Sequence, residues 1–164
     1  MRFTIFTILA LATICILPAF GEYPANYWLA EARLLSLDGS YEKAVASYDK
    51  ALELDSSNAT LLIGKGLALA NLGRYSEAID NFDQALISNS SNADIWYFKG
   101  LVLREQGKYQ DALSCFNKAL EFDPNYEAAQ ENKELTQQDL NQDNFYELDD
   151  ILYRAKQREG SLMH

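Results

Sequence analysis

The chain has 164 residues, a length typical of one compact domain, and its 48% apolar and 23% charged residues are typical of a globular or repeat protein. Its formal net charge of −10 argues against binding to nucleic acid, which requires clustered Lys and Arg. His164 is the only histidine, and Cys15 and Cys115 are the only cysteines, so neither a Cys/His metal cluster nor a Ser/His/Asp triad can form. These counts leave chemistry by carboxylates alone open, but paired carboxylates such as Asp80 and Asp83 are expected on exposed helix faces, where charge usually serves solvation. We therefore expect no cofactor, no metal and no catalytic residues, which favours a binding protein over an enzyme.

The first 21 residues have the layout of a secretory signal peptide. After a positive start, Phe3 to Leu17 is uncharged and largely apolar, and Ala19 and Gly21 supply the small residues of a cleavage site. We predict cleavage after Gly21 and a secreted or extracytoplasmic protein. The alternative is an uncleaved membrane anchor at residues 3–21, because the uncharged stretch approaches the ~20 residues needed to cross a bilayer. Contact with a membrane is expected only in that case.

The rest of the chain repeats three times at an offset of 34 residues, as units 25–58, 59–92 and 93–126. Apolar residues within each unit recur at i, i+4 and i+7, which predicts two helices per unit. A glycine between the two helices is expected to take the left-handed conformation of a tight turn. The recurring positions are Trp28, Leu62, Trp96; Ala32, Gly66, Gly100; Leu35, Leu69, Leu103; Gly39, Gly73, Gly107; Tyr41, Tyr75, Tyr109; Ala44, Ala78, Ala112; Tyr48, Phe82, Phe116; and Ala51, Ala85, Ala119.

Polar turns separate the units, and they are predicted to stop one helix and cap the next. Two of them also contain the Asn-glycosylation sequence, at Asn58 and Asn89. Because Asn and Ser suit such turns in any case, the sequence leaves modification open.

This pattern resembles the tetratricopeptide repeat family, whose 34-residue unit carries Trp, Leu, Gly, Tyr, Ala, Phe, Ala and Pro at set positions. The resemblance covers Ala25 to Tyr126 and departs from the family at a few places, such as Ala32 for Gly and Ser56 for Pro. It implies an all-α fold, a right-handed superhelical solenoid of antiparallel helix pairs. Residues 127–164 are expected to form a capping helix and an acidic helical tail, since Gln130 and Glu134 stand where the repeats have Trp and Gly.

The resemblance also implies that the first helix of each repeat lines a concave groove that binds a protein or peptide segment. Positions used by some family members to clamp a carboxylate hold Leu29, Arg33, Gly64, Asp94 and Phe98 here, which does not support that function. The apolar groove residues have an alternative interpretation as ordinary helix packing, and Leu67 and Tyr97 are predicted to be replaceable without loss of fold. The predicted groove residues are Asn26, Leu29, Arg33 and Leu37; Thr60, Ile63, Leu67 and Asn71; and Asp94, Tyr97, Leu101 and Arg104.

Ten acidic residues and one basic residue occur between Glu121 and Asp150. Within this stretch, residues 139–150 place oxygen side chains at positions 1, 3, 5, 9 and 12 of a calcium loop between two predicted helices. Asn144 replaces the expected Gly and Asp150 the expected Glu, so a helix-linker-helix without metal is favoured. The leading hypothesis is an exported, non-catalytic binding scaffold, and the alternative is a calcium-dependent structural or surface protein.

Overall fold

The computed structural model describes residues 23–161, with side chains from residue 23 to residue 154. The predicted signal segment, residues 1–21, lies outside the described residues. Within the described range the chain is helical, and no strand is present. The seven helices are α1 (Ala25–Leu37), α2 (Tyr41–Leu54), α3 (Ala59–Asn71), α4 (Tyr75–Ser88), α5 (Ala93–Glu105), α6 (Tyr109–Phe122) and α7 (Glu127–Ser161).

A glycine forms the turn inside each helix pair. Gly39, Gly73 and Gly107 have φ angles of 77°, 73° and 72°, the left-handed conformation that a residue without a Cβ adopts most easily. The residue that follows each glycine closes the turn with a backbone hydrogen bond. In the first pair, the Ser40 N–H donates to the Leu35 carbonyl over 2.9 Å. The predicted glycine turns are therefore confirmed.

Asparagines start the first helices of the second and third repeats. The Asn58 side-chain oxygen accepts from the Thr60 and Leu61 N–H groups, and Asn92 caps α5 in the same way. Asn58 Nδ2 also donates to Asp55 over 2.9 Å. These bonds confirm the predicted caps at both positions. Glycosylation of Asn58 and Asn89, which the sequence leaves open, is not tested by them.

Small residues let the two helices of a pair pack closely. A Cβ atom on Gly66 would lie 2.7 Å from the Phe82 ring, and one on Gly100 would lie 2.7 Å from the Phe116 ring. Both rings are fully buried, so neither can move aside without opening the core. The predicted alternation of small and aromatic positions is confirmed in these two repeats.

Each first helix after α1 also packs on the second helix of the preceding pair. Lys65 of α3 forms an ion pair with Asp49 of α2 over 2.6 Å, and Lys99 of α5 pairs with Asp83 of α4. The helices thus form a continuous stack of antiparallel pairs in which α1, α3, α5 and the start of α7 are successive neighbours. The predicted all-α solenoid is confirmed.

Helix α7 begins as the cap of this stack and then continues beyond it. Ala129 and Thr136 are fully buried where α7 packs on α6, whereas every residue from 141 to 154 is exposed. None of the described helices is both long enough and apolar enough to cross a membrane.

The linker predicted at residues 139–150 is wrong, because this segment lies inside the continuous helix α7, and the alternative of a calcium loop is not supported for the same reason. Twelve helical residues extend over about 17 Å along the axis, so their oxygens cannot surround one ion. Among the described residues, no cluster of three or more metal-ligating side chains is found. Helix α7 contains no Gly or Pro before Gly160, which explains why it is not interrupted at residues 139–150.

Candidate functional site

The predicted groove residues all lie on α1, α3 and α5, and none of them is buried. Helices α1 and α3 contact each other, as do α3 and α5, so the three rows of side chains are adjacent. The half-buried members are Leu29, Ile63, Leu67, Tyr97, Leu101 and Arg104, and the exposed members are Asn26, Arg33, Leu37, Thr60, Asn71 and Asp94.

A cavity of about 460 Å³ opens between α3 and α5. Three predicted groove residues, Leu67, Asn71 and Leu101, meet at this cavity. The Asn71 side-chain amide donates to the Leu67 carbonyl over 2.9 Å, which fixes its orientation and directs its oxygen away from that bond. The remaining lining residues are Ala70, Tyr75, Phe98, Val102 and Glu105.

The prediction missed part of this lining for two reasons. Tyr75 belongs to the second helix of its pair, and its repeat position indicated packing inside the hairpin. Phe98 was considered only as a carboxylate-clamp position, although Phe98, Leu101 and Glu105 at i, i+3 and i+7 share one face of α5. That spacing could have identified Phe98 and Glu105 as lining residues beside Leu101. Phe98 is held in place by the buried Phe82 ring, with centroids 6.5 Å apart.

The third-repeat end of the predicted groove is occupied by contacts within the chain. The Tyr97 ring packs on Phe116 and Tyr126, with centroids 6.0 and 4.9 Å apart, and its hydroxyl accepts from Asn132 of α7 over 3.3 Å. Tyr97 therefore joins α5 to α6 and α7. The prediction that it can be replaced without affecting the fold is not consistent with these contacts.

Two charged groove residues of α5 are also engaged. Burial, together with the neighbouring carboxylate of Asp94, raises the pKa of the Tyr126 hydroxyl above its usual range. Arg104 contacts the Asp139 carboxylate through Nε and a terminal nitrogen, at 2.8 and 2.7 Å. Arg104 thus holds the cap against the third repeat, while Asp94 lies near Tyr126 at the end of that repeat. The accessible part of the groove lies along α1, α3 and the cavity beside α5.

A second depression, of about 480 Å³, lies at the start of α7. Three of its lining residues are the carboxylates Glu127, Glu131 and Glu134. It offers an anionic surface without the apolar floor of the cavity between α3 and α5. The cavity between α3 and α5 would therefore accommodate an apolar side chain of a ligand better than this depression does.

The comparisons with known proteins agree with this architecture. A family model described as "Tetratricopeptide repeat" matches residues 63–127, and one described as "TPR repeat" matches residues 37–73. Together they span residues 37–127, more than half of the chain. A search by sequence among curated proteins gives no match.

Solved tetratricopeptide repeat (TPR) domains are similar in structure. The Sgt2 TPR domain from Aspergillus fumigatus has a TM-score of 0.69 at 20% identity, over 73% of this chain and 81% of that one. The first TPR domain of Spaghetti (RPAP3), bound to the HSP90 peptide SRMEEVD, has a TM-score of 0.67 at 22% identity, over 71% and 92%. YrrB, a TPR protein with an unusual peptide-binding site, has a TM-score of 0.59 at 37% identity, over 66% of this chain and 56% of YrrB.

Proposed function

Because the chain belongs to the tetratricopeptide repeat family, we propose that it is an exported scaffold that binds a peptide or protein segment in its groove and catalyses no reaction. The observation that carries this proposal is the cavity between α3 and α5, where Leu67, Leu101 and Phe98 form an apolar floor. These side chains are only half-buried, so their remaining surface is available to a ligand. The peptide bound to the Spaghetti domain shows that a domain of this fold can hold a short segment.

The chemistry of the cavity favours a segment with an apolar side chain as its anchor. The Asn71 side-chain oxygen at the edge of the cavity can accept a peptide N–H, because its amide nitrogen is already bonded to Leu67. Glu105 lines the same edge with a carboxylate, which favours a Lys or Arg next to the anchor. The ligand thus differs in charge from the acidic HSP90 peptide bound by Spaghetti.

Selection of peptides from a random display library, with the full chain as target, tests this proposal. Selected sequences are expected to share an apolar residue beside a basic one. Leu67→Arg should weaken their binding, measured by fluorescence anisotropy, by about 30-fold or more, since truncation of a central anchor contact typically costs ~2 kcal/mol. Ile87→Arg on α4 is the matched control, because Ile87 is 86% exposed and lies away from the groove.

The melting temperature of each variant is measured beside its affinity. The proposal requires a folded Leu67→Arg chain that has lost binding and an Ile87→Arg chain that has kept it. Equal affinity in all three chains would place the peptide site outside this cavity.

Export is the second part of the proposal, and it is supported by the apolar run before Ala19 and Gly21. The mature protein is expected to begin at Glu22, which N-terminal sequencing of the native protein determines. Met1 retained on a membrane-bound form would instead indicate the anchor at residues 3–21. Met1 on a form free in the cytoplasm would contradict export.

A further inference from the structure

The outward face of α1 is apolar, and no helix among the described residues packs on it. Tyr27 and Leu34 are 43% and 68% exposed. The residues at the same repeat positions of every later first helix are at most 4% exposed. One turn further along α1, Leu37 is 85% exposed. The buried counterparts are Leu61 and Ala68 in α3, Ile95 and Val102 in α5, and Ala129 and Thr136 in α7.

In the later repeats this face packs on the preceding second helix, as the Lys65–Asp49 ion pair shows. Helix α1 has no such helix before it among the described residues. The charged residue at the matching position, Glu31, accepts a hydrogen bond from the Ser47 hydroxyl of its own repeat over 2.9 Å. This bond draws the carboxylate toward α2 and leaves the outward face of α1 to apolar side chains.

We propose that this face is a homodimer interface, in which the α1 helices of two copies pair in antiparallel orientation. With a two-fold axis passing near Ala30, Tyr27 packs on the partner's Leu34 and Tyr23 packs on the partner's Leu37, and each contact occurs twice. Large residues meet large ones at both ends, and the small Ala30 lets the two helices approach at the centre. Such a pairing is self-complementary and closed, as symmetric dimers require.

Charge favours α1 over the exposed part of α7, which also carries several apolar side chains, as the place where two copies meet. Helix α1 carries Glu31 and Arg33 and is neutral overall. The exposed part of α7 also has apolar residues, such as Leu148, but residues 139–150 hold five acidic side chains and no basic one. Pairing through α7 would bring these charges together, whereas pairing through α1 keeps them at opposite ends of the dimer.

Sedimentation velocity of the purified full chain over a range of concentrations tests the interface. We expect a dimer that Leu34→Glu converts to a monomer, with the helical circular-dichroism signal retained. Leu148→Glu on α7 is the matched control and should leave the dimer intact. The interface shares Leu37 with the predicted groove but contains none of the residues that line the cavity between α3 and α5, so loss of peptide binding in Leu67→Arg should not change the sedimentation coefficient.

Disulfide crosslinking tests the antiparallel orientation. Tyr27→Cys and Leu34→Cys are each placed in a Cys15→Ala, Cys115→Ala background and oxidised separately or as a mixture. Only the mixture should yield a covalent dimer, because the two copies of residue 27 would be separated by about 10 Å along the helix axis, too far for a disulfide.

Four results would overturn the proposal. A chain that is monomeric at every concentration has no such interface. A dimer that survives Leu34→Glu and is lost in Leu148→Glu forms through α7. A monomer whose melting temperature falls in Leu34→Glu uses a segment of its own chain to cover α1. A crosslink in the Tyr27→Cys chain alone requires a different orientation.

Discussion

At the C-terminal end of the stack Ala129 and Thr136 are fully buried against the preceding pair, whereas their counterparts at the N-terminal end, Tyr27 and Leu34, are largely exposed. The difference follows from what precedes each helix, since α7 packs on α6 and no helix among residues 23–161 precedes α1. A terminal helix of a solenoid must also present a polar outer surface to water. Helix α7 does so with the exposed Gln130 and Glu134, but α1 does not. Within the described part of the chain, the stack is therefore capped at its C-terminal end and open at its N-terminal end.

The largest effect that separates the two ends is expected from a buried charge. Thr136 is fully buried, and its hydroxyl donates to the Asn132 carbonyl over 2.6 Å. Thr136→Asp places a carboxylate there without a partner, so it should lower the free energy of unfolding by about 3 kcal/mol in urea titration. Leu34→Asp, at the matching position of α1, should change it by no more than about 0.5 kcal/mol in the monomer. Equal losses at both positions would show that α1 is not open.

An effect of alkaline pH on stability is expected toward the capped end, where the third repeat contains a buried thiol. Burial in α6 raises the pKa of the Cys115 thiol to about 11, whereas the matching positions hold Ser47 and Asn81, which do not titrate. Because the pKa is higher in the folded state, this stabilisation is complete below the ordinary value near 9 and is lost as pH rises toward 11.

Comparison of the chain with Cys115→Ala between pH 8 and pH 11 measures this contribution. The free energy of unfolding should fall more steeply in the chain that keeps the thiol, by up to about 1.4 kcal/mol per pH unit. Parallel curves would show that Cys115 ionises equally in both states.

A smaller effect is expected from the ion pair that joins the cap to α5. A double-mutant cycle with Arg104→Ala and Asp139→Ala should give a coupling of about 1 kcal/mol, since both side chains are only partly exposed. The Arg154–Asp150 pair, in the exposed part of α7, is the comparison and should give about 0.3 kcal/mol. A larger coupling for the exposed pair would contradict the role assigned to Arg104.

The smallest effect is expected from removal of the exposed part of α7. Because residues 141–154 are exposed throughout, deletion of residues 142–164 should change the free energy of unfolding by about 0.5 kcal/mol or less. Thermal and urea unfolding of the truncated chain measure the change. A loss above about 2 kcal/mol would mean that the cap extends beyond Asp139.

Most of the fold could be predicted because the features that specify it are local and repeated. The spacing of apolar residues defines the helices, glycines at 39, 73 and 107 define the turns, and small residues such as Gly100 face the aromatic rings. Prediction failed where a local pattern admitted two structures. Residues 139–150 have both the oxygen spacing of a calcium loop and the composition of a polar helix, and the absence of Gly and Pro favours the helix.

The candidate site could be predicted only in part. Its row of first-helix residues follows from the repeat, so Leu67, Asn71 and Leu101 were identified before the structure. Phe98 shares one face of α5 with Leu101, so its spacing could have indicated it, whereas the contribution of Tyr75 depends on how α4 and α5 meet, which no single helical pattern contains. Interactions between distant residues were likewise invisible in the sequence.

The sequence by itself determined the number of repeats, the helices and the positions that pack within each pair, because these depend on residues a few turns apart. Only the tertiary structure decided which end of the stack is covered and which groove residues remain available. Tyr97 and Arg104 look like groove residues in the repeat pattern, yet Asn132 and Asp139 bind them from 35 residues away. Tyr27 matches buried positions of the later repeats, yet it is exposed since no described helix precedes it. Burial depends on the neighbour that packs against a residue, and the repeat position alone does not specify that neighbour.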